Sequence, residues 1–410
     1  GWSHRVLAAC LTVASLLGAP IGVYAQTQLS DWRAANDAVG KFLRGHIDIV
    51  RAENKSGAAN SGVQSDRPAN ALTLEQAKKR ALQVRATDVF QPTGLSARER
   101  QRQAMAVTDL LLEVELAWLA AVGSNQALRL QQNATEAANI ASELASRMGT
   151  IGNWGADRVL AVQLDAKAQQ LRLLDAQNAA RQSLLALEST LMTSGIGVAD
   201  ELPAIRGLGA RVDLRASVDE LAAERLNRLP DYRASLLAMQ RWQELAGEGA
   251  IDQWNQYVND RIDAVIERGD MTQLVIDSSK VLWNHNIKEA LHARASIAEL
   301  EASTRNTIAL AQAAVRNSHE QAMLLANELV PLAMQAEEEA VYQYNGMFIS
   351  TWNLLAQYRA RVQVQMAAVN AQTLFLQTDA AFRAYMAGAD YRPPSGLPGI
   401  ELGASGGGGH

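Results

Sequence analysis

Apolar residues recur at intervals of four and three along most of this chain. Between about residues 99 and 148 they fall at Val107, Leu111, Val114, Trp118, Ala121 and Leu128, the narrow seam of a coiled-coil helix. At ~1.5 Å per residue, about 50 residues reach roughly 75 Å, longer than an ordinary domain is wide. After a glycine-containing turn at 149–155 the pattern returns through Leu160, Leu164, Leu171, Leu174, Leu184, Leu187 and Leu191, and Gly195 and Gly197 end it. The second half does the same. A helical stretch over 287–343 contains Pro331, which predicts a kink or a division. Beyond a turn at 344–350, a last limb carries Leu355, Tyr358, Val362, Met366, Val369 and Leu376.

Shorter elements lie between these limbs. Residues 27–53 have Leu29, Trp32, Val39, Phe42 and Ile47 at helical spacing, and 54–70, rich in Ser, Asn and Gly, read as a linker. Thr73 and Gln76 form a capping box at the start of the next helix, which Pro92 and Gly94 interrupt. A connector follows at 198–215. Leu229-Pro230-Asp231 is a stop and a restart, with Asp231 expected to cap the new helix. Residues 245–275 have no clear period, with breaks at Gly247, Gly249 and Gly269. The Pro- and Gly-rich residues 389–410 read as a disordered tail.

One motif stands at both turns. Gly152 is followed by Leu160 and Gln163, and Gly346 by Leu354 and Gln357, at the same two spacings. A fixed pattern in two similar settings indicates a duplicated hairpin. The expected fold is mainly α, two repeats of long antiparallel coiled-coil hairpins, over 71–213 and 214–388.

Composition narrows the rest. Of 410 residues, 48% are hydrophobic and only 5% aromatic, a mix that favours helix over strand. The net charge of −5, with no basic stripe interleaved with aromatics, gives no support for a nucleic-acid partner. Residues 1–25 read as a secretory signal: His4 and Arg5, an apolar run to Val23, and Val23-Tyr24-Ala25 as a cleavage site. Cys10, the single cysteine, lies inside it. Cleavage there leaves a chain without disulfides, thiol catalysis or Cys metal ligands.

Taken in order, these pieces resemble the TolC family of outer-membrane efflux proteins. Ala71-Leu-Thr-Leu-Glu-Gln-Ala77 with Ala81-Leu82 is similar to that family's opening helix. The segments at Gly149–Gly152 and Tyr344–Gly346 are similar to its hairpin turns, and Arg228-Leu-Pro-Asp-Tyr232 to the start of its second repeat, with Leu229 inserted. The resemblance covers about 71–388. It implies a homotrimer with a periplasmic helical tunnel and a shared β-barrel in the outer membrane, working with a periplasmic adaptor and an inner-membrane pump. A soluble periplasmic docking protein is the alternative. The barrel strands, each about 9–11 alternating residues, would fall near 83–104 and 242–292. Those segments are charged or irregular, only 272–283 having any strand character, so the barrel part is expected to be reduced or absent.

Candidate contact residues follow from the turns. Gly149, Gly152, Trp154, Asp157, Tyr344, Gly346, Ser350 and Trp352 would form adaptor-binding hairpin tips. The two tryptophans would either anchor a partner or close the hairpin end by packing. Asp157 suits a helix N-terminus. His285, Glu289 and His292, at i, i+4 and i+7 of a helix, offer a metal-binding alternative to a solvated polar face. Glu337-Glu-Glu339 reads as a solvated face too. With no recognisable nucleophile motif, phosphate loop or pair of catalytic carboxylates, the chain reads as a non-enzyme without a cofactor.

Overall fold

The computed structural model describes residues 71–205 and 214–394. The expected signal, first helix, linker, part of the connector and most of the tail lie outside them. The fold is two long helical hairpins laid side by side. Strand β1 (Ala71–Leu72) opens the first repeat, followed by α1 (Leu74–Val84) and the short α2 (Ala86–Val89). Then come α3 (Ala97–Thr150), α4 (Ala156–Thr190) and β2 (Gly197–Val198). The second repeat holds α5 (Val218–Arg228), α6 (Pro230–Ala246), α7 (Ala250–Arg268), a 3-10 turn, α8 (His285–Leu324), α9 (Val330–Asn345) and α10 (Thr351–Met386). The layer runs α4, α3, α10, then α8 and α9, so α3 and α10 are inside and α4 and α8–α9 form the edges.

Local chemistry explains where the helices start and stop. Capping boxes close the N-termini of α1 (Thr73 with Gln76), α3 (Ser96 with Glu99) and α5 (Ser217 with Glu220), each satisfying two orphan backbone donors. Pro230 occupies the first turn of α6, where its missing N–H costs nothing. The expected cap is corrected here: Leu229 holds the cap position without a side-chain bond, and Asp231, in the first turn, pairs with Arg98 of α3 at 2.6 Å. Pro331 divides its helix as expected. It sits in the first turn of α9, after a single π-helical turn at Leu325–Leu329. That wider turn absorbs the hydrogen bond a proline cannot make.

The segments expected to hold barrel strands contain helices and irregular chain. Residues 83–104 span α2, a break and the start of α3, while 242–292 carry α7, the 3-10 turn Met271–Leu274 and the start of α8. Among the described residues the strands are β1 and β2, a parallel two-residue pair with Ala71 opposite Gly197 and Leu72 opposite Val198. No described helix is long and apolar enough to cross a membrane.

The core lies where the repeats meet. Val114, Trp118 and Val122 of α3, Leu187 of α4, Ile308 and Val315 of α8, and Phe375 and Phe382 of α10 are buried together. Trp118 donates its indole N–H to the Leu72 carbonyl at 2.9 Å, tying β1 to this core. Gly123 sets how closely α3 and α10 approach, for a Cβ there would stand 2.3 Å from Thr373 Oγ1. Beside it is a buried charge cluster. Glu115 of α3 accepts from Lys78 of α1 at 2.6 Å and from Arg383 of α10 at 2.7 Å, and Arg383 also reaches Asp379 at 3.0 Å. Burial alone would raise the Glu115 carboxyl, but the two cations outweigh it and hold it below its ordinary 4.5.

Three expectations change. Leu160, Leu164, Leu171 and Leu174 of α4 are exposed, so only the far end of that seam, at Leu187 and Leu191, meets the core. Glu337 is no solvated residue: it is buried and paired with Arg361 of α10. The first residues of the expected tail are packed: Ala389 is fully buried and Tyr391 lies edge-on against Tyr385.

Candidate functional site: the paired hairpin tips

The two turns follow one path. Helix α3 ends with Ile151 N–H donating to Arg147, Gly152 N–H to Gly149 and Asn153 N–H to Met148. Helix α9 ends with Gly346 N–H donating to Tyr342, Met347 N–H to Tyr344 and Phe348 N–H to Gln343. The last bond of each set is the wide closure of a Schellman end. Three residues after the left-handed position, Gly155 and Ser350 begin the return helices, Ser350 accepting from Asn353 N–H.

This geometry corrects the register of the sequence motif by one residue. The left-handed residue of the first tip is Gly152, at φ 82°, but that of the second is Met347, at φ 61°. Gly346 has an ordinary φ of −81° and corresponds to Ile151. Gly149 and Tyr344 likewise share one place, each carbonyl receiving the N–H of the left-handed residue. The glycines match in sequence without matching in structure.

The structure brings the predicted tryptophans together. The Trp154 and Trp352 rings lie 4.3 Å apart, tilted by 39°, and the Arg158 guanidinium stacks 3.8 Å over Trp154. Both are half-buried, so their packing fastens one tip to the other. Behind them Leu355, Tyr358 and Val362 of α10 pack on Ala134, Ala137 and Ala141 of α3, and Arg359 of α10 pairs with Asp165 of α4. Gly149 lets the return helix pass close, since a Cβ there would stand 2.8 Å from Val159. Asp157 lies exposed in the first turn of α4, where its charge suits the helix dipole.

Sequence reasoning missed the most exposed large apolar residues of the tips. Phe348 is 83% exposed and Met347 75%, with Ile151 exposed on the neighbouring tip. Met347 holds a left-handed backbone that a side chain disfavours by about 1–2 kcal/mol, and strain of this kind gathers at functional sites. The available signal was Met347-Phe-Ile349, three apolar residues in a turn where polar ones are the rule. A pair of packed tips carrying an exposed Phe and Met can bind an apolar groove on another protein.

The histidine trio comes out differently from the metal-binding alternative. It lies on helix α8 as predicted, but Asn284 caps that helix and His285 in its first turn sets its ring against Trp242, centroids 5.4 Å apart. His285 and Glu289 stand 3.9 Å apart, with His292 exposed a turn further on. Among the described residues no three His, Cys, Asp or Glu are grouped to hold a metal ion.

No protein-family model matches the chain, and no curated protein does. Several solved structures are similar to it. CusC, described for conformational changes accompanying folding and transmembrane channel formation, is 14% identical, with 77% of this chain and 92% of that one covered and a TM-score of 0.47. The outer membrane protein VceC of Vibrio cholerae is 16% identical, with 77% of each chain covered and a TM-score of 0.45. The outer membrane channel CmeC of Campylobacter jejuni is 10% identical, with 79% of this chain and 69% of that one covered and a TM-score of 0.45. At these identities and superpositions the likeness lends this chain no activity.

Proposed function

We propose that this chain is the outer component of a tripartite efflux or type I secretion system, assembling as a homotrimer around a helical periplasmic tunnel. The observation that carries the reading is the pair of unfinished edges. Leu160, Leu164, Leu171 and Leu174 on α4 are exposed at one edge, and Leu310, Leu324, Leu332 and Tyr342 on α8 and α9 at the other. A layer with an apolar stripe on each edge is completed by copies of itself, and a head-to-tail contact that closes makes a ring. The tips, with Phe348 and Met347 outermost, would dock a periplasmic adaptor, and an inner-membrane pump would drive transport without chemistry by this chain.

A second reading has its own support. Helices and irregular chain occupy the segments expected to cross the outer membrane as strands, which favours a periplasmic docking protein that keeps the hairpins and conducts nothing. Fractionating cells that express the full chain, with a carbonate wash of the outer membrane, separates the two. Retention of a cross-linkable trimer in the washed membrane supports the channel. Release into the soluble periplasm overturns it and leaves the docking protein.

A further inference from the structure

Helix α4 meets its own hairpin partner largely through hydrogen bonds and keeps its leucines outside. Toward α3, Gln163 donates to Ser146 at 3.0 Å, Gln169 accepts from Gln131 at 3.1 Å and Ser183 stands 3.1 Å from Ser124. On the solvent side Leu160, Leu164, Leu171, Leu174 and Leu185 are all exposed. They fall on one heptad seam, whose remaining positions are Lys167, Asn178 and Arg181.

The same chain supplies a matching seam. The residues ahead of Ala71 lie outside the described ones, and it is their sequence that names an occupant. Leu29, Trp32, Val39, Leu43 and Val50 fall on one heptad seam, with Asn36 and His46 at its remaining positions. At about 1.5 Å per residue in helical form, the two seams are roughly 32 and 38 Å long.

Position and tethering favour this segment over a free copy. Ala71 pairs with Gly197, just past the end of α4, so the described chain begins beside the stripe. Residues 54–70 reach at most about 60 Å when extended, enough to set Val50 beside any part of it. A short flexible tether holds its cargo at an effective concentration on the order of millimolar, above that of copies in dilute solution. Polar residues within both seams lower the affinity of such a helical pair, which leaves the contact displaceable.

We propose that the segment Leu29–Val50 docks as a helix along the outer stripe of α4 in the same chain, shielding that edge until another copy displaces it. The shielding rests on the assembly proposed above; the docking does not.

The test is cysteine cross-linking in the purified full chain, with Cys10→Ser to remove the native thiol. Leu43→Cys is combined in turn with a cysteine at each of the exposed α4 leucines, and with Leu310→Cys on the opposite edge as the control. Mild oxidation of dilute protein should give an intramolecular disulfide with at least one α4 position, about tenfold faster than with Leu310→Cys, because the bond needs Cα atoms within about 7 Å. Adding Trp32→Asp should slow that disulfide by about tenfold. Equal rates at both edges, or no disulfide along α4, overturns the proposal. Disulfide-linked dimers in place of cross-linked monomers assign the stripe to a second copy and overturn it too. Sedimentation tests the shielding: Trp32→Asp with Leu43→Asp should lower the concentration at which the chain self-associates by about tenfold, and association unchanged by the pair overturns the shielding. If neither parent nor variant associates, the assembly reading and the shielding fail together, while the cross-links still decide the docking.

Discussion

Helices α4 and α10 are the return limbs of the two hairpins, 35 and 36 residues long, and they have opposite fates. Along α4 only Ala166, Gln169, Leu187 and Thr190 are buried. Along α10 no residue from Val369 to Tyr385 is exposed, and twelve of them are buried, Asp379 and Phe382 included. The difference is one of neighbours. Helix α10 has α3 on one side and α8 with α9 on the other, whereas α4 packs along α3 and meets α10 near the tips, through Asp165 and Arg359. An apolar stripe therefore does not by itself state that the chain's own helices cover it.

Five variants test that contrast. Phe382→Ala on α10 should cost the most, about 3–5 kcal/mol, because Phe382 is fully buried; chemical denaturation should show the midpoint falling. Glu115→Gln should cost about 2–3 kcal/mol, less than a fully buried pair because Lys78 and Arg383 keep part of their side chains in solvent. The same cluster fixes a pH response. The Glu115 carboxyl is held below its ordinary 4.5, so its contribution is complete above that value and is lost as pH falls through the depressed folded value. The melting temperature should drop below about pH 4.5 in the parent, and less steeply in Glu115→Gln.

The tips should respond with opposite signs. Gly152→Ala places a side chain at φ 82° and should cost about 1–2 kcal/mol. Met347→Gly removes one from φ 61° and should stabilise by up to about 1 kcal/mol. Equal signs in thermal unfolding would mean that the two turns are not equivalent after all. The smallest effect on the single chain should come from Leu171→Glu with Leu174→Glu on α4, within about 0.5 kcal/mol. In analytical ultracentrifugation the same pair should abolish self-association if the proposed assembly forms through this edge.

The helices were legible because their signals are local. The capping box at Thr73 and Gln76, the restart at Pro230 and the division at Pro331 each depend on residues within a turn or two. What escaped depends on distance in sequence. The pairing of Trp154 with Trp352, the burial of Glu337 by Arg361 and the solvent exposure of the α4 leucines are decided by which helices become neighbours. The tip register failed for another reason. Glycine is the usual left-handed residue, so Gly346 offered a false match while Met347 took the strained conformation. The period over 245–275 was ambiguous because three glycines fall within it, yet Gly247, Gly249 and Gly269 all have positive φ and bracket a regular helix, α7.

The π turn at Leu325–Leu329 has a consequence for phase. One surplus residue in a helix that advances about 100° per residue rotates everything beyond it by that angle. Side chains of α9 are therefore out of step with those of α8, although the axis continues. Without that offset, the stripe that α8 turns toward α10 would continue straight down the helix, and Glu337 would not meet Arg361. Removing Asn327 would leave an ordinary helix of nearly the same length and point the second tip the wrong way. The aim of Phe348 is set by a single residue more than twenty positions away.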